Sequence, residues 1–323
     1  MIGLQHNRAS ADAGARMIAA ADGSEQALKG PSAPAFNRPV PVRHPMRWIG
    51  TAILAILGVV VVRSAATNPN FQWGVVSHYL FNHLVLRGVE WTLMLTMAAM
   101  ALAIGLAIAL VFMRQSESPV QRFVSWLWIW FFRGTPVYTQ LVFWGLVSVL
   151  YPHIALGVPF GPSLVTVTTS QVVTAAVAAI VGLGFNESAY LAEIFRAGFK
   201  SVDSGQLEAA EALGMRRARA MVRVVMPQAM RMIIPPTGNE TIGMLKSTSL
   251  VLAVPFALDL TFTTNTIANR LYLPIPLLLV AGIWYLAITS VLMVGQHFLE
   301  RRFGRGADPR ARIRQAEAGG AGS

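Results

Sequence analysis

Cysteine is absent from the 323 residues. That excludes disulfides and thiolate metal sites. Charge is scarce as well: 13% of the residues are charged, against about 25% in a soluble domain. Histidine is thin and scattered; His78 and His83 are five apart, so they do not share a helix face as a metal pair would. No G-x-x-x-x-G-K-[ST] phosphate loop is present, so the chain does not bind ATP in that way. The lack of an H-E-x-x-H helix and of a G-x-S-x-G elbow argues against a membrane protease or esterase.

What is present is apolar, and it comes in blocks. Trp91–Met113, Gly134–Gly157, Leu164–Phe185 and Leu271–Leu299 hold no charged residue. Apolar runs of about 18 residues or more are read as membrane spans. In lipid each backbone polar group needs an internal partner, so such spans are helical. Spans are expected near 89–113, 134–151, 172–197, 233–256 and 275–298, with Phe123–Phe132 as an interfacial helix whose Trp126, Trp128 and Trp130 suit a headgroup belt. Trp48–Val62 is short for a span, but Arg63 can snorkel and extend it. Residues 1–46 and 303–323 read as disordered cytoplasmic tails.

The net charge of +11 would suggest nucleic acid on a soluble protein. Here the basic residues flank apolar spans and act as a topology signal, so no nucleic-acid partner is expected. They cluster in the N-terminal tail, the loop near 198–232 and the C-terminal end, with Arg114 and Arg122 after the span at 89–113. All of these fall on one side if the chain crosses six times with both ends cytoplasmic. The other side then keeps Arg63, Arg87 and Arg270.

The longest polar loop lies on the basic side. Asp203 with Gln206 resembles a capping box that starts a short helix. Gly214 can take the left-handed conformation that ends it. A basic helix with Arg216, Arg217, Arg219 and Arg223 follows, and Pro227 is expected to close it. Ala209, Ala210 and Ala212 keep the first helix slim enough for a groove on a partner. From these features alone it is equally an ordinary amphipathic connector.

The loop then shows a spacing. Glu208-Ala209-Ala210, three residues, Gly214, nine residues, and Val224-Val225-Met226-Pro227 resemble the EAA signature of binding-protein-dependent ABC importer permeases. That pattern ends Ile-x-Leu-Pro, and Val and Met stand here in its place. Arg133-Gly-Thr-Pro136, Asn186-Glu-Ser-Ala-Tyr-Leu-Ala-Glu-Ile-Phe-Arg-Ala-Gly198, Leu245-Lys-Ser-Thr-Ser-Leu250 and Leu299-Glu-Arg-Arg302 resemble the polar amino-acid branch, in the family's order across 85–302. The resemblance implies an all-α membrane protein, a type I ABC importer transmembrane domain of five core helices, here with one extra N-terminal helix in 47–84. It implies a permease of the cell membrane without its own ATPase site or bound cofactor. Its partners would be an ABC ATPase subunit that uses ATP, an extracytoplasmic amino-acid-binding protein, a second permease chain, identical or related, and membrane lipid. The loop 203–227 would be the coupling element, carried by Glu208, Ala209, Ala210, Gly214, Arg216, Arg217 and Pro227.

Ionisable residues within spans are costly and mark pathways or partners. Glu193 and Arg196 are three apart and read as a structural ion pair. Glu187 and Glu240 fall roughly 15 Å and 10 Å deep, counted at 1.5 Å per residue. They either face one cavity and favour an α-ammonium or guanidinium group, or are protonated or bonded to backbone in helix packing. Asn186, Thr237 and Asn239 can add hydrogen bonds, and Pro235-Pro236 is expected to interrupt the span. Lys246, Ser247, Thr248 and Ser249 either serve a substrate carboxylate or join helices through hydroxyl bonds. The same fold could serve another solute such as an opine. A proton-driven secondary carrier is the competing class, and it has no use for a coupling loop.

Overall fold

A computed structural model describes residues 45–157 and 163–303. The expected tails fall almost wholly outside these. The first helix, α1, runs Pro45–Thr67. It continues through Arg63 beyond the apolar run, and Trp48–Thr67 is long and apolar enough to cross a membrane. Its residues up to Ser64 form one unit, and the chain from Ala65 forms a second.

In the second unit a 3-10 turn (Pro69–Phe71) and the short α2 (Trp73–Leu80) precede the long α3 (His83–Gln115). Then come α4 (Pro119–Gly134), α5 (Val137–Gly145) and α6 (Val147–Leu150). A hairpin of β1 (His153–Gly157) and β2 (Ser163–Thr168) leads through α7 (Thr169–Val172) into α8 (Ala175–Lys200). The polar loop holds α9 (Ser204–Ala212) and α10 (Arg217–Ala220). A π-helical turn (Met221–Val225) joins α10 to α11 (Met226–Ser247), which tightens into a 3-10 stretch (Thr248–Ala253). The last elements are α12 (Leu260–Leu271) and α13 (Pro274–Phe303).

Small residues hold the centre. Ala99, Ala103 and Ala107 of α3 are fully buried, as is Ala179 of α8. A Cβ on Gly184 would stand 2.9 Å from Leu102 Cδ2 and 3.2 Å from the Ala99 carbonyl oxygen. A Cβ on Gly198 would come within 2.3 Å of Ile233 Cγ1, so α11 also lies close against α8. Lipid tails are as apolar as leucine, so helices in a membrane associate through such close packing and through interhelical hydrogen bonds.

Several sequence expectations need correction. Among the described residues four helices meet the length and composition of a span: α3, α8, α13 and the stretch from Trp48 in α1. The run expected as one span at 134–151 is divided between α5 and α6, and α5 at nine residues is about 13.5 Å long, too short to cross alone. The hairpin was not anticipated. The β-branched alternation of Ser163–Thr168 is a strand signal, masked by the apolar run around it. His153 pairs with Thr168 and Ala155 with Thr166 in an antiparallel register. Pro227 does not close the basic helix. The Met226 N–H reaches back to the Met221 carbonyl in the π turn, and Pro227 then sits at the start of α11, where its missing N–H is tolerated. Nor do Pro235 and Pro236 break α11, which runs through both. Gln296 of α13 donates from Nε2 to the Pro235 carbonyl at 2.7 Å, braced by Glu300 at 3.0 Å. Neighbouring helices re-satisfy backbone in this way around intramembrane prolines.

Helix α12 falls between the spans expected at 233–256 and 275–298. Its cap is Asp259, whose Oδ2 accepts from the N–H groups of Thr261 (2.9 Å) and Phe262 (3.2 Å). The Leu260 N–H donates to Thr92 Oγ1 at 3.1 Å, made possible because Gly88 leaves room for the Leu260 backbone. Asp259 lies between the spans expected at 233–256 and 275–298 and is fully buried. Burial pushes its carboxyl from 3.8 up to about 6, against the opposing pull of the capping N–H groups. The pKa is raised on folding, so the stability it contributes is complete below 3.8 and is lost as pH rises through about 6. Asp259→Asn keeps an acceptor for the cap and removes the buried charge. Its Tm should therefore exceed that of the wild type at about pH 8, and the difference should narrow steadily as pH falls through about 6 toward about 4. Thermal melts in detergent measure this; a Tm difference that does not change with pH would contradict the assignment.

Candidate functional site

The polar loop is built around its own ends. Asp203 caps α9, with Oδ1 accepting the Gly205 N–H at 2.7 Å. The expected capping box with Gln206 does not form: no side-chain bond from Gln206 to Asp203 occurs among the described residues, and the Gln206 backbone N–H bonds the Asp203 carbonyl at 3.1 Å in an ordinary first turn. At the far end Gly214 adopts φ +80°. The Gly214 N–H bonds the Glu211 carbonyl at 2.9 Å and the Met215 N–H bonds Ala210 at 3.1 Å, a Schellman closure that only a left-handed residue permits. The two central alanines part company: Ala210 is buried in the chain, while Glu208, Ala209 and Leu213 are exposed. Leu213, at 85% exposure, is a large apolar side chain at the tip of the loop. Arg216 and Arg217 are both exposed. Arg217 approaches Glu211 at 3.9 Å, a surface pair of little energetic weight. Pro227 enters α11 directly behind them.

Helix α8 connects this loop to the second candidate region. Near its lower end Arg196 donates to Glu193 Oε2 through Nε (2.8 Å) and Nη2 (2.5 Å), the ion pair expected from their spacing. Further along, Glu187 is buried and sits beside Glu240 of α11, so the two carboxyls share one region. Glu187 Oε1 has no hydrogen-bond partner among the described residues. Asn186 turns the other way and donates from Nδ2 to the Phe132 carbonyl at 2.8 Å.

On α11, Pro236, Asn239, Gly243 and Lys246 recur at three- and four-residue spacing on one face, with Glu240 at its edge. Pro236, Asn239 and Lys246 are exposed. Thr237 bonds the Ile233 carbonyl at 2.8 Å, and Ser249 bonds the Lys246 carbonyl at 2.7 Å. Thr248 is buried, donating to the Leu245 carbonyl at 2.6 Å and facing the Tyr285 hydroxyl at 3.4 Å.

Sequence reasoning missed the groups that hold this region. Gln140 Nε2 donates to the Phe132 and Thr135 carbonyls, each at 3.1 Å, joining Asn186 around Arg133-Gly-Thr-Pro136. Arg133 itself lies over the Tyr190 ring at 5.1 Å. Trp128 Nε1 donates to Ser188 Oγ at 3.0 Å. The Arg-Gly-Thr-Pro run was visible in the sequence, but its partners come from other helices.

Residues 101–305 match the family model described as "Binding-protein-dependent transport system inner membrane component". The chain belongs to this family. It is 46% identical over 278 residues to the arginine transport system permease protein ArgU of Corynebacterium glutamicum, covering 86% of each chain. A stretch of 278 residues in a chain of 323 begins no later than residue 46, so this likeness includes α1. The histidine/lysine/arginine/ornithine transport system permease protein HisM of Salmonella typhimurium is 32% identical over 216 residues, 67% of this chain and 88% of that one. Among solved structures, that of an amino acid ABC transporter with histidines aligns with TM-score 0.57 and 33% identity, over 70% of this chain and 97% of the other. The chain is thus a membrane-embedded permease component of an ABC importer.

A Cβ on Gly214 meets nothing within 4 Å, so the constraint there is conformational. The left-handed state costs about 1–2 kcal/mol for an ordinary L-residue, less for Asn and more for a β-branched one. Gly214→Val should loosen the loop and speed tryptic cleavage at Arg216 and Arg217, while Gly214→Asn should cleave like the wild type. Equal cleavage of all three would remove the conformational role of Gly214.

Proposed function

We propose that this permease moves a basic amino acid, received from an extracytoplasmic binding protein, across the membrane at the expense of ATP hydrolysed by a separate ATPase subunit. The chain has no phosphate loop of its own. Both termini and the loop 203–227 lie on the cytoplasmic side, where the basic residues collect.

The observation that carries this reading is the polar face of α11 beside Glu187. Asn239, Glu240 and Lys246 on a membrane helix would be expensive to present to lipid. A second permease chain, identical or related, would cover this face and turn it into the lining of a path. Glu240, with the Glu187 carboxyl beside it, supplies the negative charge and the acceptor oxygens that a guanidinium or ammonium side chain needs. Lys246, with Ser249 in the next turn, offers a counter-charge for an α-carboxylate, whereas Thr248 is buried and joins helices through its hydroxyl. The names of ArgU and HisM are consistent with a basic substrate. An octopine permease, OccM of Rhizobium meliloti, is 32% identical, so the amino acid is preferred over an opine. At the other end, Glu208, Ala209 and Leu213 form the exposed surface that docks into the ATPase, with Arg216 and Arg217 beside it.

Uptake of radiolabelled arginine by the assembled transporter should fall at least tenfold in Glu240→Gln, since losing one close counter-charge is worth about 1.4 kcal/mol or more. Uptake equal to the wild type, with the complex intact, would take Glu240 out of the path. Gly214→Val should also lose the ATPase on co-purification while binding-protein capture persists. For orientation, a reporter active only outside the cell should stay silent when fused to Ser323; strong activity would reverse the topology.

A further inference from the structure

Behind the polar loop, where α3 and α8 both end, lies a cavity of about 490 Å³. Arg114 from the last turn of α3 lines it, with Arg196 and Lys200 from the end of α8. Arg196 is held by Glu193, but Arg114 and Lys200 make no ion pair among the described residues. The one carboxylate in the lining, Asp203, is occupied at Oδ1 by the Gly205 N–H. With three cations to one carboxylate in its lining, the cavity presents net positive charge.

A second cavity of about 350 Å³ adjoins the first and shares Gln115, Phe199 and Met221 with it. The rest of its lining is apolar. It includes Ile104, Ile108 and Phe112 of α3, Phe195 of α8, and Ile233 of α11. From Arg114 back to Ile104 is about 15 Å along the helix, half of a hydrocarbon core about 30 Å thick. A basic pocket at the helix ends thus continues into an apolar groove one leaflet deep. A phosphate at Arg114 and Lys200 would place acyl carbon in the groove, and no purely polar or purely apolar ligand satisfies both halves.

We propose that this paired cavity binds an anionic phospholipid from the leaflet on the side of the polar loop. The headgroup phosphate sits between Arg114 and Lys200, and one acyl chain lies along the groove between α3, α8 and α11. Ser204 and Leu207 of α9 line the same basic cavity. A bound headgroup therefore braces the coupling loop and makes its docking sensitive to lipid composition. The assignment is independent of the transported substrate and of which side of the membrane the loop faces.

Native mass spectrometry of the purified full chain tests it, with phosphatidylglycerol against phosphatidylcholine of identical acyl chains. Phosphatidylglycerol should be retained preferentially. Arg114→Gln with Lys200→Gln should weaken its binding about 30-fold, taking about 1 kcal/mol per cation, with phosphatidylcholine unaffected. The charge-conserving pair Arg114→Lys with Lys200→Arg should keep it, and Ile108→Trp should weaken it by filling the groove. Millimolar inorganic phosphate should not displace the lipid. Equal retention of the two lipids in the wild type overturns the proposal without any variant. So does unchanged phosphatidylglycerol binding in the double Gln variant, and so does displacement by phosphate, which would make this a site for a free anion.

Discussion

The close approach of α3 and α8 is the constraint on which the rest of this permease depends. Water supplies no hydrophobic drive inside a bilayer, so helices hold together only where their surfaces fit closely. Ala99, Ala103 and Ala107 against Gly184 give that fit, and a single added methyl at Gly184 would meet Leu102. Helix α8 then links the two candidate regions. It carries Asn186 and Glu187 at one level and the Glu193–Arg196 pair at another, and it ends three residues before the cap of the polar loop's helix. Gly198 brings α11 against the same helix.

Polar groups are the other expense of life in lipid, and the chain handles them one by one. Gln296 serves the Pro235 carbonyl, Asn186 and Gln140 serve the carbonyl at the end of α4, and Thr92 serves the first N–H of α12. The π turn re-registers the backbone so that Pro227 can open α11. Four buried side-chain oxygens stay without a partner among the described residues, on Gln140, Glu187, Asp259 and Gln296. Three belong to residues whose other polar atoms already brace backbone. Glu187 has no such duty among the described hydrogen bonds, which fits its proposed place beside a ligand.

The sequence was most legible where a local pattern has one physical solution. Gly214 had to be left-handed for the helix to end and the chain to reverse, and it is. Glu193 and Arg196 had to meet because three residues on a helix bring side chains to one face. It was least legible where partners are distant in the chain. The expected break at Pro235-Pro236 failed for that reason, since a glutamine 61 residues away serves the freed carbonyl and the helix stays whole; Pro227 failed for a local one, a π turn that lets it open α11. Asn186 was grouped with Glu187 by adjacency, but a helix turns adjacent residues about 100° apart, and Asn186 ends on α4 instead.

By itself the sequence determined that the chain lives in a membrane, that its basic residues gather at the ends of apolar blocks, and that one polar loop carries the family's spacing. Those properties follow from hydropathy, charge and turn chemistry, which act over a few residues. Tertiary structure alone decided that Glu187 meets Glu240, that Lys246 and Asn239 share an uncovered face, and that Arg114 and Lys200 frame one pocket. Each of these joins residues far apart in the chain or depends on which faces neighbouring helices cover. Such pairings are set by how closely small residues let the helices approach, a distance that no local pattern encodes.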